Sequence, residues 1–525
     1  MTVEVRCRQE SFSVPGGKKF RLPAVDANVR DKDLTLSEPF RIHEMLRIPI
    51  RWRLFLLLPV IGCVPRLCTA QDKARASPRP NIVLIMADDL GFTDVACFGS
   101  QYYETPNIDR LASQGMKLLS HHHCQNCAPT RAALMTGQYG PRTGIYTVGG
   151  IDRFDWSDRP LRPVENVVDL PLDRITIAQH LKSAGYRTGM FGKWHLGQKG
   201  PLHPSKRGFD EALTAEGKHF GFETSPRSVV PEGQYLADFL TDKAVDFIQR
   251  HKAEPFFLYL PHFGVHVPHQ AKPELIERFR SKTPVGGHDN PTYAAMIASV
   301  DESVGRIMLT LEELQLAENT VLIFTSDNGG VGGYDREGIS KNGGGVTDNA
   351  PLRSGKGSLY EGGTRVPFIV RWLGQIAAGS ECRVPTIHVD LFPTLSDFAI
   401  ASVTDQILDG ESLKPLFLGS STTLRRDAIF QHFPGYLGAG KGQWRTTPVS
   451  LIQSADWKLM EFLEDGRLEL YNLAEDPGES KNLTAARPEQ ASSLHLRLVE
   501  WRKSINAPMP TANSSESSAP KNAIP

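Results

Sequence analysis

Seven cysteines in 525 residues, an odd and sparse complement, exclude a disulfide framework as what holds this chain together. Charge of one sign is also missing. Lys and Arg number 59 and so do Asp and Glu, so no global field favours nucleic acid or an anionic membrane, and any anion site must be built locally. No apolar run reaches the roughly 18 to 20 residues of a membrane-spanning helix, which predicts a mature protein without a transmembrane span, soluble or merely anchored. No internal repeat is visible. What is there, 40% hydrophobic and 22% charged residues with 46 Gly and 37 Pro, suits a folded globular chain and rules out collagenous or wholly disordered readings.

The first eighty residues carry a targeting pattern in an unusual place. Residues 51–64, RWRLFLLLPVIGCV, follow Arg47 and lead to small residues near Ala70. A basic flank, a short apolar run and small residues predict a signal peptide over 45–70 and a secreted or periplasmic protein. Residues 1–44 are polar and carry Pro15 and Pro23, so they read as a non-native upstream extension with Met45 as the true start. Val60-Ile61-Gly62-Cys63 also matches a lipoprotein processing box, making Cys63 a candidate anchoring site.

Residues 81–87 (NIVLIMA) and 320–325 (TVLIFT) are apolar without alternation, as strands buried on both faces of a parallel sheet must be. Residues 255–260 and 186–191 are weaker examples. Helical spacing appears over 175–184, 236–250 and 293–314. Strands alternating with helices predict an α/β sheet with helices on both faces. Ligands of such sheets bind beyond the carboxyl ends of the strands, where Asp88-Asp89, Asp327-Asn328 and the segment after Leu260 all fall. Beyond about residue 420 the pattern turns to short alternating stretches, ADWKLMEF and RLELYNL around Glu464-Asp465-Gly466, a hairpin signal, followed by a helix near 488–503. The expected domains are therefore 81–420 and 421–505, with a disordered Ser- and Pro-rich tail at 506–525.

The stretch Cys127-Ala128-Pro129-Thr130-Arg131, continuing to Leu134, Thr136 and Gly137, reads C-x-P-x-R-x-x-L-x-T-G. This resembles the first signature of type I sulfatases. Gly185-Tyr186-Arg187-Thr188 with Gly192-Lys193-Trp194-His195 resembles the second, G-Y-x-T-x-x-x-G-K-x-H. The resemblance runs from about Asn81 to Leu483 and departs little, with Thr130 in place of the commoner serine. It implies an alkaline-phosphatase-like fold: a large sheet sandwiched by helices, with a smaller C-terminal antiparallel β subdomain packed by a helix.

The resemblance also implies chemistry. Cys127 would be oxidised by a formylglycine-generating maturation enzyme, and the aldehyde hydrate would supply the nucleophile. Such a gem-diol can attack sulfur and then expel sulfate by collapsing to the aldehyde. Arg131 would stand beside it, and Lys193 and His195 would hydrogen-bond the hydrate and the sulfate. Asp88, Asp89, Asp327 and Asn328, together with the modified Cys127, would hold one calcium ion, a hard cation that wants several oxygens. The family places a histidine after the strand at 255–260; of His262, His266 and His269, His266 is chosen. Lys356, in R-S-G-K-G-S-L-Y-E-G-G-T-R-V-P, matches the family lysine that contacts sulfate.

A sulfate ester hydrolase acting on a sulfated polysaccharide or oligosaccharide is the reading that follows. The alternatives are a phosphate or phosphonate monoester hydrolase of the same superfamily, and a non-catalytic glycan-binding relative. Segments 218–220, 334–342 and 432–445 are expected to line sugar subsites. His121-His122-His123-Cys124 reads as part of a strand rather than a zinc site, and Cys97, Cys124 and Cys382 as core residues.

Overall fold

The computed structural model describes residues 79–339, 345–402, 405–440 and 442–513. The signal peptide, the upstream extension, Cys63 and the last twelve positions of the tail lie outside the described residues.

Eight strands form the main sheet: β1 (Asn81–Ala87), β2 (Met116–Leu118), β3 (Arg187–Gly192), β4 (Glu211–Thr214), β5 (Phe256–Pro261), β6 (Thr320–Ser326), β7 (Phe368–Arg371) and β8 (Ser380–Cys382). Their order is β8-β2-β7-β6-β1-β5-β3-β4. Only β7 runs against its neighbours, β6 and β2; the other pairings are parallel. Helices cover both faces: α1 (Pro106–Ser113), α2 (Cys127–Thr136), α3 (Ile177–Ser183), α4 (Leu236–Arg250), α5 (Pro273–Arg280), α6 (Pro291–Glu313) and α7 (Leu391–Ala399).

The unalternated run of β1 has a direct physical cause. Val83, Ile85 and Ala87 join the core beneath α1, α4, α5 and α6, while Ile82, Leu84 and Met86 join the core beneath α2, α3 and α7. Both faces of the strand lose water, so neither set of positions tolerates polarity. Because β1, β3, β5 and β6 are parallel, their carboxyl ends open on one edge, and Asp88-Asp89, Lys193, the 262–266 segment and Asp327-Asn328 emerge there.

Six further strands follow: β9 (Ile429–Phe433), β10 (Leu437–Gly440), β11 (Gln443–Thr446), β12 (Val449–Ser454), β13 (Trp457–Phe462) and β14 (Leu468–Asn472). Four make an antiparallel sheet in the order β9-β12-β13-β14, and β10 and β11 pair as a separate hairpin. Helix α8 (Pro488–Ser504) packs Leu494 and Leu498 on Ile452, Leu459 and Leu470. The opposite face of the sheet packs Leu451, Met460 and Tyr471 against Leu359 and Tyr360.

A buried charge network crosses this junction. Lys458 Nζ donates to the Leu359 carbonyl at 2.8 Å and to Glu361 at 2.9 Å, and it pairs with Glu479 at 2.8 Å. Glu479 accepts from the Glu361 backbone N–H at 2.7 Å, and His122 lies 3.0 Å from Glu361. Lys458→Met would leave the buried Glu479 without its cation beside Glu361, which keeps Arg365 at 2.6 Å. We expect a loss of about 3 to 5 kcal/mol in unfolding free energy, read from a denaturant midpoint. A loss below about 1 kcal/mol would mean the network contributes little beyond its packing.

The described part of the expected tail, up to Asn513, is tied to the fold. Thr511 and Ala512 pair with Arg162 and Leu161, and Asn513 donates to the carbonyls of Ser157, Arg159 and Pro160. These backbone bonds hold a polar stretch whose composition alone points to disorder.

Candidate active site

Each functional side chain is delivered by a strand end or a helix start. The Asp327 N–H bonds the Ala87 carbonyl at 3.1 Å, tying the two acidic pairs together across β1 and β6. The Asp89 N–H donates to Asp327 Oδ1 at 3.1 Å, and Asn328 Nδ2 donates to Asp89 Oδ1 at 2.8 Å. Asp89 has φ +65° and His195 φ +59°, values that cost a non-glycine residue on the order of 1 kcal/mol and that cluster where function fixes the backbone. Gly192, between β3 and Lys193, has φ +136°, and a Cβ there would lie 1.9 Å from the Pro261 carbonyl oxygen. Only glycine lets Lys193 donate its N–H to that carbonyl at 2.8 Å.

Cys127 opens α2, and every residue of that helix is buried. One turn on, Arg131 Nη2 donates to Asp327 Oδ2 at 2.7 Å, Nε reaches the same oxygen at 3.2 Å, and Nη1 donates to the Lys193 carbonyl at 2.8 Å. The guanidinium fork thus fixes an acid from β6 and the chain beyond β3 at once. Lys193 Nζ lies 2.6 Å from Asp88 Oδ2, and Lys356 Nζ lies 2.7 Å from Asp89 Oδ2. His266 Nε2 is 3.7 Å from Asp89 Oδ2, while its Nδ1 bonds the Val267 carbonyl at 2.7 Å, which leaves Nε2 free of the proton when the ring is neutral. His262 is spent on Ser303 at 2.9 Å, and the His269 ring packs edge-on against Tyr293.

Burial would raise the Asp88 carboxyl pKa, but Lys193, His266, Arg131 and Lys356 outweigh it and hold the group well below the usual carboxylate range. Burial alone would discharge Lys193 and Lys356; Asp88 and Asp89 reverse this and keep both well above the ordinary lysine value. Burial pushes the Cys127 thiol up to about 12, against the pull of the two lysines. A thiol in that state is protonated at neutral pH and a weak nucleophile. Burial, followed by Lys193 and Arg131, drives His195 far below its ordinary value, so its ring is neutral.

The ligand atoms of Asp88, Asp89, Cys127 and His266 all lie within 4.8 Å of one another. Asp88 Oδ1 and Asn328 Oδ1 are buried acceptors with no hydrogen-bond donor, the state in which oxygen ligands await a cation. This donor set fits a hard divalent ion. Asp327 Oδ2 accepts from Arg131 and Oδ1 from the Asp89 N–H, which leaves Oδ1 a further lone pair.

Above these groups opens a cavity of 540 Å³, lined by Cys127, Lys193, His195, His266 and Lys356 among others. Its outer walls come from Arg153 and Phe154, from Glu216, and from Leu437, Gly438 and Arg445 of the β10–β11 hairpin. Among the described residues of the three segments expected to line subsites, Leu437, Gly438 and Arg445 of 432–445 line the cavity; 218–220 begins one residue past lining Gly217, and Tyr334 faces a different pocket. Sequence reasoning gave no hint of Arg153, Phe154 or Glu216. The histidine tract is consumed internally: His121 bonds Thr386 and His123, and His122 bonds Glu361. Cys97, Cys124 and Cys382 are free thiols, only partly buried rather than core.

A family model described as Sulfatase matches residues 80–401. The chain belongs to the sulfatase family. A second model, N-sulphoglucosamine sulphohydrolase, C-terminal, matches residues 355–504 of this sulfatase. It is similar to a sulfatase of Formosa agariphila, 34% identical over 85% of this chain and 92% of the relative. It is also similar to an N-acetylgalactosamine-6-O-sulfatase of Bacteroides thetaiotaomicron, 30% identical over 84% of this chain and 97% of the relative. Among solved structures, Ps i-CgsB in complex with k-i-k-neocarrahexaose aligns with a TM-score of 0.68 and 30% identity, over 81% of this chain and 92% of that one. The sulfatase is accordingly a sulfuric ester hydrolase with the α/β fold just described, and no helix among its described residues is long and apolar enough to cross a membrane.

Proposed function

We propose that this protein removes sulfate from a sulfated carbohydrate, using Cys127 matured to formylglycine and one bound calcium ion. The observation that carries the reading is the convergence of Cys127, Lys193, His195, His266 and Lys356 on one cavity floor, directly over the Asp88-Asp89 pair. The carbohydrate follows from relatives named for N-acetylgalactosamine 6-sulfate or bound to neocarrahexaose, and from a cavity rim of arginine, glutamate and aromatic side chains suited to a hydroxylated, charged ligand.

Asp88, Asp89, Asp327, Asn328 and the matured Cys127 would hold the cation, with the Asp89 N–H tying Asp89 to Asp327; when bound, the ion would polarise the sulfate ester. Formylglycine, once formed at Cys127, would supply a hydrate oxygen as nucleophile and a carbonyl whose re-formation releases sulfate. Lys193 and Lys356, held charged by their carboxylates, stabilise the negative charge that grows on the sulfate oxygens. His266, which lines the cavity, is placed, when both its ring nitrogens carry protons, to give the one on Nε2 to the departing sugar oxygen. His195, neutral and buried at the same floor, donates or accepts a hydrogen bond without adding charge. Arg131 acts through Asp327 and the Lys193 carbonyl, and is a positioning residue.

The apolar run at 51–64 supports secretion or export to a periplasm, with Cys63 as a site of lipid attachment. The deciding experiment is mass spectrometry of the tryptic peptide bearing Cys127, from protein made together with a formylglycine-generating enzyme. The aldehyde or its hydrate is expected, together with faster hydrolysis of a sulfate ester than of a phosphate ester of the same leaving group. Unmodified thiol in fully active protein would overturn the nucleophile assignment.

A further inference from the structure

Four cationic side chains line the cavity, and they are not equivalent. Lys193 and Lys356 are neutralised by Asp88 and Asp89. Arg153 and Arg445 have no carboxylate partner among the described residues. Arg153 Nη1 donates only to the Val148 carbonyl at 3.1 Å, and its guanidinium lies over the Phe154 ring at 5.2 Å. Arg445 lies over the Tyr334 ring at 4.8 Å, and its Nε is buried with no hydrogen-bond acceptor. The contrast with Arg159 is instructive, because that neighbouring arginine is bonded through two nitrogens to Glu464.

Packing holds Arg445 and the segment that carries Arg153, whose guanidinium is exposed. A Cβ on Gly357, the residue after Lys356, would fall 2.9 Å from Arg445 Cδ and 2.5 Å from Leu437 Cδ2, so the arginine stem lies directly on the lysine-bearing loop. A Cβ on Gly438 would fall 2.6 Å from Phe154, and Phe154 meets Trp444 edge-to-face at 6.4 Å. The segment carrying Arg153 and the hairpin carrying Arg445 therefore form one continuous wall beside the reaction centre. The sole carboxylate on the cavity lining, Glu216, follows β4 on a separate segment. A wall with two unpaired guanidinium forks, next to a floor that already provides for one sulfate, has capacity for a second anion.

We propose that Arg153 and Arg445 form a second anion subsite, which takes a sulfate ester or a carboxylate on the sugar next to the one that loses its sulfate. The proposal rests on the carbohydrate reading above and narrows it to polyanionic glycans. Phe154 supplies an apolar face beside that sugar, and the guanidinium forks read its charge.

The test uses matured enzyme and three disaccharides that share N-acetylgalactosamine 6-sulfate and differ in the neighbouring sugar: galactose, sulfated galactose or glucuronate. For the wild type, kcat/KM is expected to be roughly tenfold higher for at least one charged neighbour than for the neutral one, and the better of the two identifies sulfate or carboxylate as the second anion. In the Arg153→Gln, Arg445→Gln double variant the ratio is expected to fall close to one. The wild type alone gives a second reading that needs no variant to fold: its preference should shrink as salt rises from about 0.05 to about 0.5 M, because the guanidinium groups reach solvent. Equal kcat/KM for all three disaccharides, or a preference that survives both the substitutions and the salt, overturns the subsite and leaves the carbohydrate reading intact. No turnover of any of the three by an enzyme that hydrolyses an aryl sulfate removes the substrate reading and the subsite with it.

Discussion

Cys127→Ser is expected to lower kcat on any sulfate ester by at least about 10³-fold while leaving the fold unchanged. Serine nearly matches cysteine in size, and the site keeps the pairs Lys193–Asp88 and Lys356–Asp89, so the unfolding transition should move little. What serine cannot supply is the second oxygen of a hydrate. After one attack on sulfur its hydroxyl would be left as a sulfate ester, with no second O–H through which to collapse to a carbonyl and release the product. Steady-state hydrolysis of an aryl sulfate, with intact mass measured after long incubation, checks this. Activity within tenfold of the wild type would remove Cys127 from the nucleophile position.

Stripping divalent metal is expected to cost a comparable factor, about 10³ in kcat, with calcium restoring the wild type but not Asp89→Asn. The site holds two buried oxygens without donors, Asp88 Oδ1 and Asn328 Oδ1, and leaving each unsatisfied costs about 1 to 3 kcal/mol. A cation recovers that cost, so calcium should also raise the thermal midpoint of the chelated wild type, a readout independent of turnover. Asp89→Asn keeps the shape and the oxygen that Asn328 bonds, yet removes a charge that both the cation and Lys356 require. Elemental analysis should find stoichiometric calcium in the wild type and far less in the variant. Full activity in protein shown to be metal-free would end the metal assignment.

Much of the fold could be read from residue order because burial on two faces leaves an unmistakable mark. β1 is apolar without a break from Ile82 to Ala87 since it has a core on each side, and β6 is apolar from Val321 to Phe324. The acidic pairs stood out because they interrupt those runs where a parallel sheet opens. Among three histidines within eight positions, spacing could not say which turns to the site; the structure separates them, because His262, the buried residue just after β5, bonds Ser303, whereas His266 lies past the turn. The cavity wall was the least legible part. Arg153 and Arg445 are nearly three hundred positions apart on irregular or short elements, and no periodicity in either segment announces that they meet over one floor.

The strand order also sets a clock for biosynthesis. β1 is flanked by β5 and β6, so the sheet against which α2 packs cannot close until Ser326 has been made, about 200 residues after Cys127. At about 5 to 20 residues per second, that interval lasts roughly 10 to 40 s. A modifying enzyme of the kind proposed above would meet the cysteine in this interval; in the finished fold Cys127 is 2% exposed, at the base of the cavity. On the maturation proposed above, the yield of active enzyme in a given host would depend on whether oxidation of this one thiol precedes the arrival of β6.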